Sequence, residues 1–337
     1  MGASVAATAG CGQRREIVGD SQRPPGPDMA GNYDRLPGGG TVAAMDDSLP
    51  DGEQLSLLTV HAHPDDEASK GAATVAHYHA QGVRCVLVCC TGGEAGDILN
   101  PAMDLPDIRE RLHEVRMDEL KRSTQVIGYD EVILLGYRDS GMPDTPENAD
   151  PRCFARAPLE EAVGRLVEVI RRERPQVIIT YADDQEGYPH PDHLRVHDIT
   201  LPAFDAAGDP DAFPDAGPPW QALKLYYVAW SRARILAMHD KFVELGLESP
   251  FDDKWFERPD HDDRITTRLD VSEHDDVRRA ALIAHETQID PDSPFWFGLP
   301  PDVVVYRYDD YILARSLVDS VTPEDDLFAG VSDRVAR

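Results

Sequence analysis

Between Leu55 and Ala68 the chain reads L-S-L-L-T-V-H-A-H-P-D-D-E-A, an apolar run that stops abruptly at a cluster of charge. Leu55, Leu57, Leu58 and Val60 have the character of a buried strand, and a helical pattern starts at Asp66. A strand feeding a helix through a polar turn is the unit from which open α/β sheets are built, with chemistry at the carboxyl ends of the strands. Pro64 suits the turn or the first helical position, where its missing N–H costs nothing. His63 and Asp66 are three residues apart across this turn and can point at one spot, with Asp65 between them. Imidazole plus carboxylate is ordinary ligand chemistry for zinc or ferrous iron.

The rest of the chain repeats the alternation. A helix is expected from about Asp66 to Gln81, ended by Gly82, then a buried strand over Val83–Cys90 and a glycine-rich loop, T-G-G-E-A-G-D. That loop lacks the G-K-[ST] of a phosphate-binding loop and the G-x-G-x-x-G of a dinucleotide site. A charge-rich helix over Pro106–Ile127, a strand at Val132–Leu135, an amphipathic helix at Leu159–Glu173 and a strand at Val177–Tyr181 follow. This fourth strand opens into Y-A-D-D-Q-E-G-Y-P-H-P-D-H, with a helix from about Asp192. A strand at Leu223–Trp230, a helix at Ser272–Glu286 and a late, antiparallel strand near Val303–Tyr308 complete the pattern. The expected fold is an α/β sandwich: a mostly parallel sheet with helices on both faces and a C-terminal extension.

Residues 1–50, rich in Gly, Pro, Ala and Asp without a period, read as disordered or loosely attached, with Met29 and Met45 as alternative starts. A single domain is expected over 51–325 and a flexible tail over 326–337. A net charge of −29 makes nucleic acid and anionic membranes poor partners, because affinity for phosphate needs clustered Lys and Arg. No run approaches the roughly eighteen apolar residues that span a bilayer. A-G-C-G at Cys11 imitates a lipoprotein cleavage site but lacks a basic segment before it. Cys85, Cys89 and Cys90 fall in an apolar run where reduced thiols are expected, which points to the cytoplasm.

Two polar clusters fall at equivalent places, each past a strand and at a helix start: His63-Pro64-Asp65-Asp66-Glu67 and His190-Pro191-Asp192-His193. One cluster alone reads equally as a helix cap, since Asp is favoured there. Two at matching positions point to one metal held by His63, Asp66 and His193, with a coordination place open for water. Asp65 beside it is placed to take the water's proton.

H-P-D-D-E followed more than a hundred residues later by H-P-D-H resembles the LmbE-like, PIG-L-type zinc deacetylase family, which cleaves amides on amino-sugars on a Rossmann-like α/β sandwich. The likeness covers about Leu55–Leu317. Within the family, H-P-D-D-E-A-S-K-G, T-G-G-E-A-G-D-I-L-N-P-A-M, E-V-R-M-D-E-L and Y-R-D-S-G-M are most similar to the branch of mycothiol S-conjugate amidases. The sister branch deacetylates N-acetylglucosaminyl-inositol. The resemblance implies one Zn2+ per chain, with Fe2+ as the other candidate, on His63, Asp66 and His193, and Asp65 as general base. It implies that His190 protonates the leaving amine or steadies the tetrahedral intermediate, that Asp192 orients His190, and that Tyr188 reaches the scissile carbonyl. Lys70, Arg116 and Asp139 match substrate-contacting positions. Their plainer readings are an exposed helical lysine, an arginine paired with Asp118 or Glu119 on a solvated face, and a turn residue in D-S-G. The small-molecule substrate so implied is a thiol conjugate, in detoxification.

Overall fold

The centre of the molecule is a strand buried on both faces. Ser56–His61 (β2) is inaccessible along its whole length; Leu57 packs into one hydrophobic cluster and Leu58 into another on the opposite face. Side chains of a strand alternate between its faces, so helices on both sides demand an uninterrupted apolar run. Replacing such a residue as Leu58 by Ala would cost about 2–5 kcal/mol.

The computed structural model describes residues 54–183 and 189–331, together with the backbone of Arg35 and Leu36. All of them belong to one unit, Tyr33–Arg337. Besides β2 its strands are Arg35–Leu36 (β1), Arg84–Thr91 (β3), Glu131–Tyr137 (β4), Val177–Tyr181 (β5), Lys224–Ala229 (β6), Thr267–Asp270 (β7) and Tyr308–Ser316 (β8). They form one sheet in the order β1-β4-β3-β2-β5-β6-β8-β7. The five strands from β4 to β6 run parallel; β1 and β8 run against them, and β7 pairs antiparallel with β8. The helices Leu159–Glu173 and Pro191–Ala207 cover one face; Ala72–Ala80, Leu112–Ile127 and Asp275–Ala284 cover the other. This is the expected α/β sandwich. The chain lays β2, β3 and β4 outward in one direction, then returns to place β5 on the other side of β2. Beyond the carboxyl ends of β2 and β5 lies the crevice in which open sheets bind ligands.

Several local expectations change. The helix expected over 66–81 is two pieces, Asp66–Ser69 and Ala72–Ala80, because Gly71 takes φ 103° and a Cβ there would sit 3.3 Å from Tyr311 Oη. The charged helix likewise breaks at Arg111. The late strand starts only at Tyr308. The helix Arg232–Glu244, capped by Ser231 Oγ accepting from the Arg234 N–H, and strand β7 carry no distinctive sequence pattern.

Of the segment before residue 51, Arg35–Leu36 pairs with β4 as an edge strand, and the remainder lies outside the described residues. The tail expected over 326–337 is packed as far as Val331. Leu327, Phe328 and Val331 are buried against the helix Ala72–Ala80, and Tyr78 Oη donates to Asp326 and accepts from the Leu327 N–H.

Candidate active site

The turn after β2 is shaped by its own side chains. Asp66 Oδ2 accepts the His63 N–H at 3.0 Å, closing the turn, and Asp65 is held at φ 108°, in the left-handed region. A non-glycine residue there is strained by about 1–3 kcal/mol and persists only where its surroundings over-determine it. Here they do. The Asp65 N–H donates to Glu67 Oε2 at 2.9 Å, and the fully buried Glu67 also accepts from Ser123 Oγ at 2.5 Å and lies 2.6 Å from His285 Nε2. From the other side Arg116 Nη2 donates to Asp65 Oδ2 at 3.0 Å and to the Pro64 carbonyl at 2.5 Å, while Nη1 reaches the Gly93 carbonyl at 2.6 Å.

The turn after β5 delivers the second cluster. His190 is the N-cap of the helix Pro191–Ala207: its Nδ1 accepts the Asp192 N–H at 3.2 Å. One turn on, His193 projects to the same point as His63. Asp66 Oδ2 is 3.4 Å from His63 Nδ1 and 3.4 Å from His193 Nε2, and the three ligand atoms lie within 4.8 Å of one another. With metal–ligand bonds of about 2.0–2.1 Å, a tetrahedral site separates its ligands by about 3.4 Å. The donor set and its spacing therefore fit a divalent ion.

Electrostatics agree. Burial disfavours protonation of His63, but Asp139, Asp192 and Asp66 outweigh it and hold its pKa well above the ordinary value. Burial works against the Asp66 carboxylate too, yet Lys70 and His193 keep its pKa well below the usual range. Three buried carboxylates around one imidazole form a nest that calls for positive charge. His63 Nε2 is 3.2 Å from Asp192 Oδ2 and 3.6 Å from Asp139 Oδ1. Partners on Nε2 hold the proton there and leave Nδ1 to ligate. His63, Asp139 and His190 also converge as a possible ligand group, sharing His63 with the first.

Burial, with His63 next, lowers the His190 pKa to about 4, and burial also lowers that of His193, so both imidazoles are neutral at pH 7. Asp65 is displaced upward, mainly by burial, with Arg116 opposing and Asp66 adding to the rise.

His63, Asp65, Asp66, Lys70, Arg116, Asp139, His190 and His193 all border one cavity of about 700 Å³. Lys70 Nζ lies 2.5 Å from Asp66 Oδ1. Asp139 Oδ2 and Oδ1 accept the Ala95 and Gly141 N–H groups, tying the loops after β3 and β4 together. Tyr188 lies outside the described residues. The fully buried Asp192 carboxylate contacts His63 and accepts from the Ser140 N–H at 2.9 Å and from Ser140 Oγ, while toward His190 it is the Asp192 N–H that bonds. Arg116 is not on a solvated face: it is buried, and Glu119 instead accepts from Thr287 N–H and Oγ1.

Ser123 was not singled out by its surroundings in the sequence, and Glu67 and Ser140 stood there only as members of the H-P-D-D-E and D-S-G runs. The glycine loop lacks the phosphate-binding motifs, and two of its glycines, Gly93 and Gly96, make room for Arg116. A Cβ at Gly93, where φ is 66°, would lie 2.4 Å from the Arg116 Cζ, and one at Gly96 would lie 2.6 Å from Nη1.

Residues 58–204 match the family described as "PIG-L: GlcNAc-PI de-N-acetylase". A mycothiol S-conjugate amidase from Streptomyces coelicolor is 44% identical over 296 residues, covering 83% of this chain and 99% of the relative. A 1D-myo-inositol 2-acetamido-2-deoxy-alpha-D-glucopyranoside deacetylase from Geodermatophilus obscurus is 40% identical, covering 82% and 97%. Among solved structures, the N,N'-diacetylchitobiose deacetylase of Pyrococcus horikoshii shares the fold at TM-score 0.52 and 16% identity, over 77% of this chain and 83% of that one. No helix of the described residues is long and apolar enough to cross a membrane. With two relatives at 40% identity or more along most of its length, and with its paired motifs meeting at one point, the chain belongs to the PIG-L (LmbE-like) family and is an amide-cleaving hydrolase.

Proposed function

We propose that the chain hydrolyses mycothiol S-conjugates, releasing an N-acetylcysteine S-conjugate and glucosaminyl-inositol, as a cytoplasmic detoxification enzyme. The observation that carries this reading is the 700 Å³ cavity continuous with His63, Asp66 and His193, far larger than an acetyl group needs and in the range of sites that enclose whole organic molecules. The 44% identical amidase supports it. Cys85, Cys89, Cys90 and Cys153 are buried free thiols, which fits a reducing compartment.

A divalent ion, zinc or ferrous iron, on His63, Asp66 and His193 would supply Lewis acidity to the carbonyl and to water. Asp65 takes the proton that water loses as its oxygen bonds the carbonyl carbon. The same carboxyl passes that proton to the amide nitrogen as the C–N bond breaks, so one water yields one acid and one amine. Of the two roles expected for His190, its geometry supports steadying the oxygen. Its Nδ1 is taken as an acceptor by the Asp192 N–H, which leaves Nε2–H to donate to the oxygen as charge gathers there. Arg116 and Glu67 hold Asp65 against its strained backbone, and Asp192 and Asp139 hold His63.

The second reading, deacetylation of N-acetylglucosaminyl-inositol, is favoured by the relatives at 40–41% identity. Turnover of a bimane-labelled mycothiol conjugate and of the acetylated pseudodisaccharide, measured side by side, decides between them. The conjugate is expected to have the higher kcat/KM; a faster acetyl sugar would overturn the proposal in favour of the deacetylase.

A further inference from the structure

The sheet order divides the cavity. The metal-binding turns follow β2 and β5, at the centre. The loops after β4 and β3 lie on one side of them, and the chain leaving β6 lies on the other. On the β3–β4 side the lining is hydrogen-bonding: Asp97, Arg116, Asp139 and Gln288. On the β6 side it is aromatic. Trp230 leaves β6 and stacks on Phe295 with centroids 5.8 Å apart and planes 10° apart; Phe295 in turn stacks on Trp255 at 5.7 Å and 30°. Trp296 stands edge-on to both Trp230 and Phe295.

Of the polar groups on that side, Arg232, Asp262 and Arg264 are engaged with the protein, as Arg116, Asp139 and Gln288 are on the other. Arg232 donates to the carbonyls of Phe256 and Arg258; the Asp262 carboxylate accepts the Arg232 and Ala233 N–H groups; Arg264 pairs with Asp183 at 2.6 Å. Arg258 lies flat over the Trp255 ring, its Cζ 3.8 Å from the centroid, and Arg234 lies 4.8 Å from the Trp230 centroid. What this side offers an occupant is ring surface: Trp230, Trp255 and Phe295 are only half-buried. Three aromatic rings give that side of the cavity an apolar, polarisable wall, which favours flat, unsaturated ligands over polyhydroxylated ones.

We propose that the Trp230–Phe295–Trp255 ladder is the subsite for the sulfur-bound substituent, and that it selects flat unsaturated or aromatic groups, with the glucosaminyl-inositol half on the β3–β4 side. This rests on the amidase reading above and adds the direction in which the substrate lies and the class of substituent preferred. Asp65 is held by Arg116 and Glu67 and not by the ladder, so the ladder sets affinity rather than the chemical step.

The test uses the whole chain with two conjugates of one pseudodisaccharide thiol, S-bimanyl and S-methyl, and the variants Trp255→Leu and Trp255→Phe. Wild type is expected to have a KM at least tenfold lower for the bimanyl conjugate. Trp255→Leu should raise that KM about tenfold with kcat unchanged, leave the S-methyl conjugate within twofold, and be rescued in part by Trp255→Phe. Unaltered S-methyl kinetics also report that the variant is folded. Equal effects on both conjugates, or none on either, would overturn the subsite. Quenching of tryptophan fluorescence by N-acetyl-S-bimanylcysteine tests it without turnover. If neither conjugate is hydrolysed but quenching is seen in wild type and lost in Trp255→Leu, the amidase reading fails and the subsite stands; no quenching in wild type removes the subsite.

Discussion

Arg116 Nη2 donates to the Asp65 carboxylate at 3.0 Å from a guanidinium that also bonds the carbonyls of Pro64 and Gly93. One buried side chain thus joins the turn after β2, the loop after β3 and the proposed general base. A lysine supplies one compact charge where three acceptors need a planar fork. Arg116→Lys is therefore expected to lower kcat by about 10²-fold, the cost of displacing a reacting group by around an ångström, with a smaller change in KM. Gly93→Ala should reproduce the loss without touching Arg116, because its Cβ would lie 2.4 Å from the guanidinium carbon. Steady-state kinetics on the two variants check the pair.

Asp65 is held at φ 108° by Arg116 and by Glu67, a backbone position that Asn also tolerates. Asp65→Asn keeps the shape and removes the base. Its turnover is expected to fall by about 10²–10⁴-fold, the range for a lost proton-transfer group, with metal content and Tm close to wild type. Metal analysis and thermal melting alongside the rate separate this from collapse of the turn.

Away from the site, the buried Asp309 accepts from Arg278 Nη2 at 2.6 Å, Thr74 Oγ1 at 2.8 Å and Arg234 Nη1 at 3.4 Å. Burial raises its pKa, but Arg278 and Arg234 prevail and hold it below the ordinary value. A carboxylate depressed on folding stabilises the protein fully above its unfolded pKa of about 3.9, and that contribution is lost as pH falls through the lower folded value. Asp309→Asn leaves two buried guanidinium groups short of a partner and should cost about 3–5 kcal/mol at pH 7. Denaturant unfolding at pH 7 and below pH 4 should show the gap to wild type narrowing in acid.

The sheet was legible where burial demands a continuous apolar run. Leu55–Val60 and Val83–Cys90 announced β2 and β3 because both faces of each are covered. The convergence of the two histidine clusters was legible from their matching positions past strands. The partners of those clusters were not. His190 and Asp192 look paired in sequence, but side chains two apart at a helix start point away from each other, so the Asp192 carboxylate faces His63, 129 residues distant. Arg116 was hidden by the alternating charges around it. Its spacing from Leu112, Leu120, Ser123 and Ile127 follows the buried stripe of the helix, and that signal places both Arg116 and Glu119 inward. The aromatic ladder was unreadable because Trp230, Trp255 and Phe295 come from three separate segments, the chain leaving β6 and the short helices Asp253–Glu257 and Pro294–Phe297.

His63, Asp66 and His193 are proposed to share one ion while Asp65, next in the chain to a ligand, does not bind it. Metal content of the purified chain, measured by atomic emission for wild type, His193→Ala and Asp65→Asn, tests it most directly. One divalent ion per chain is expected in wild type and in Asp65→Asn, and a loss of most of it in His193→Ala. Metal retained in His193→Ala, or lost in Asp65→Asn while that variant remains folded, would contradict the assignment.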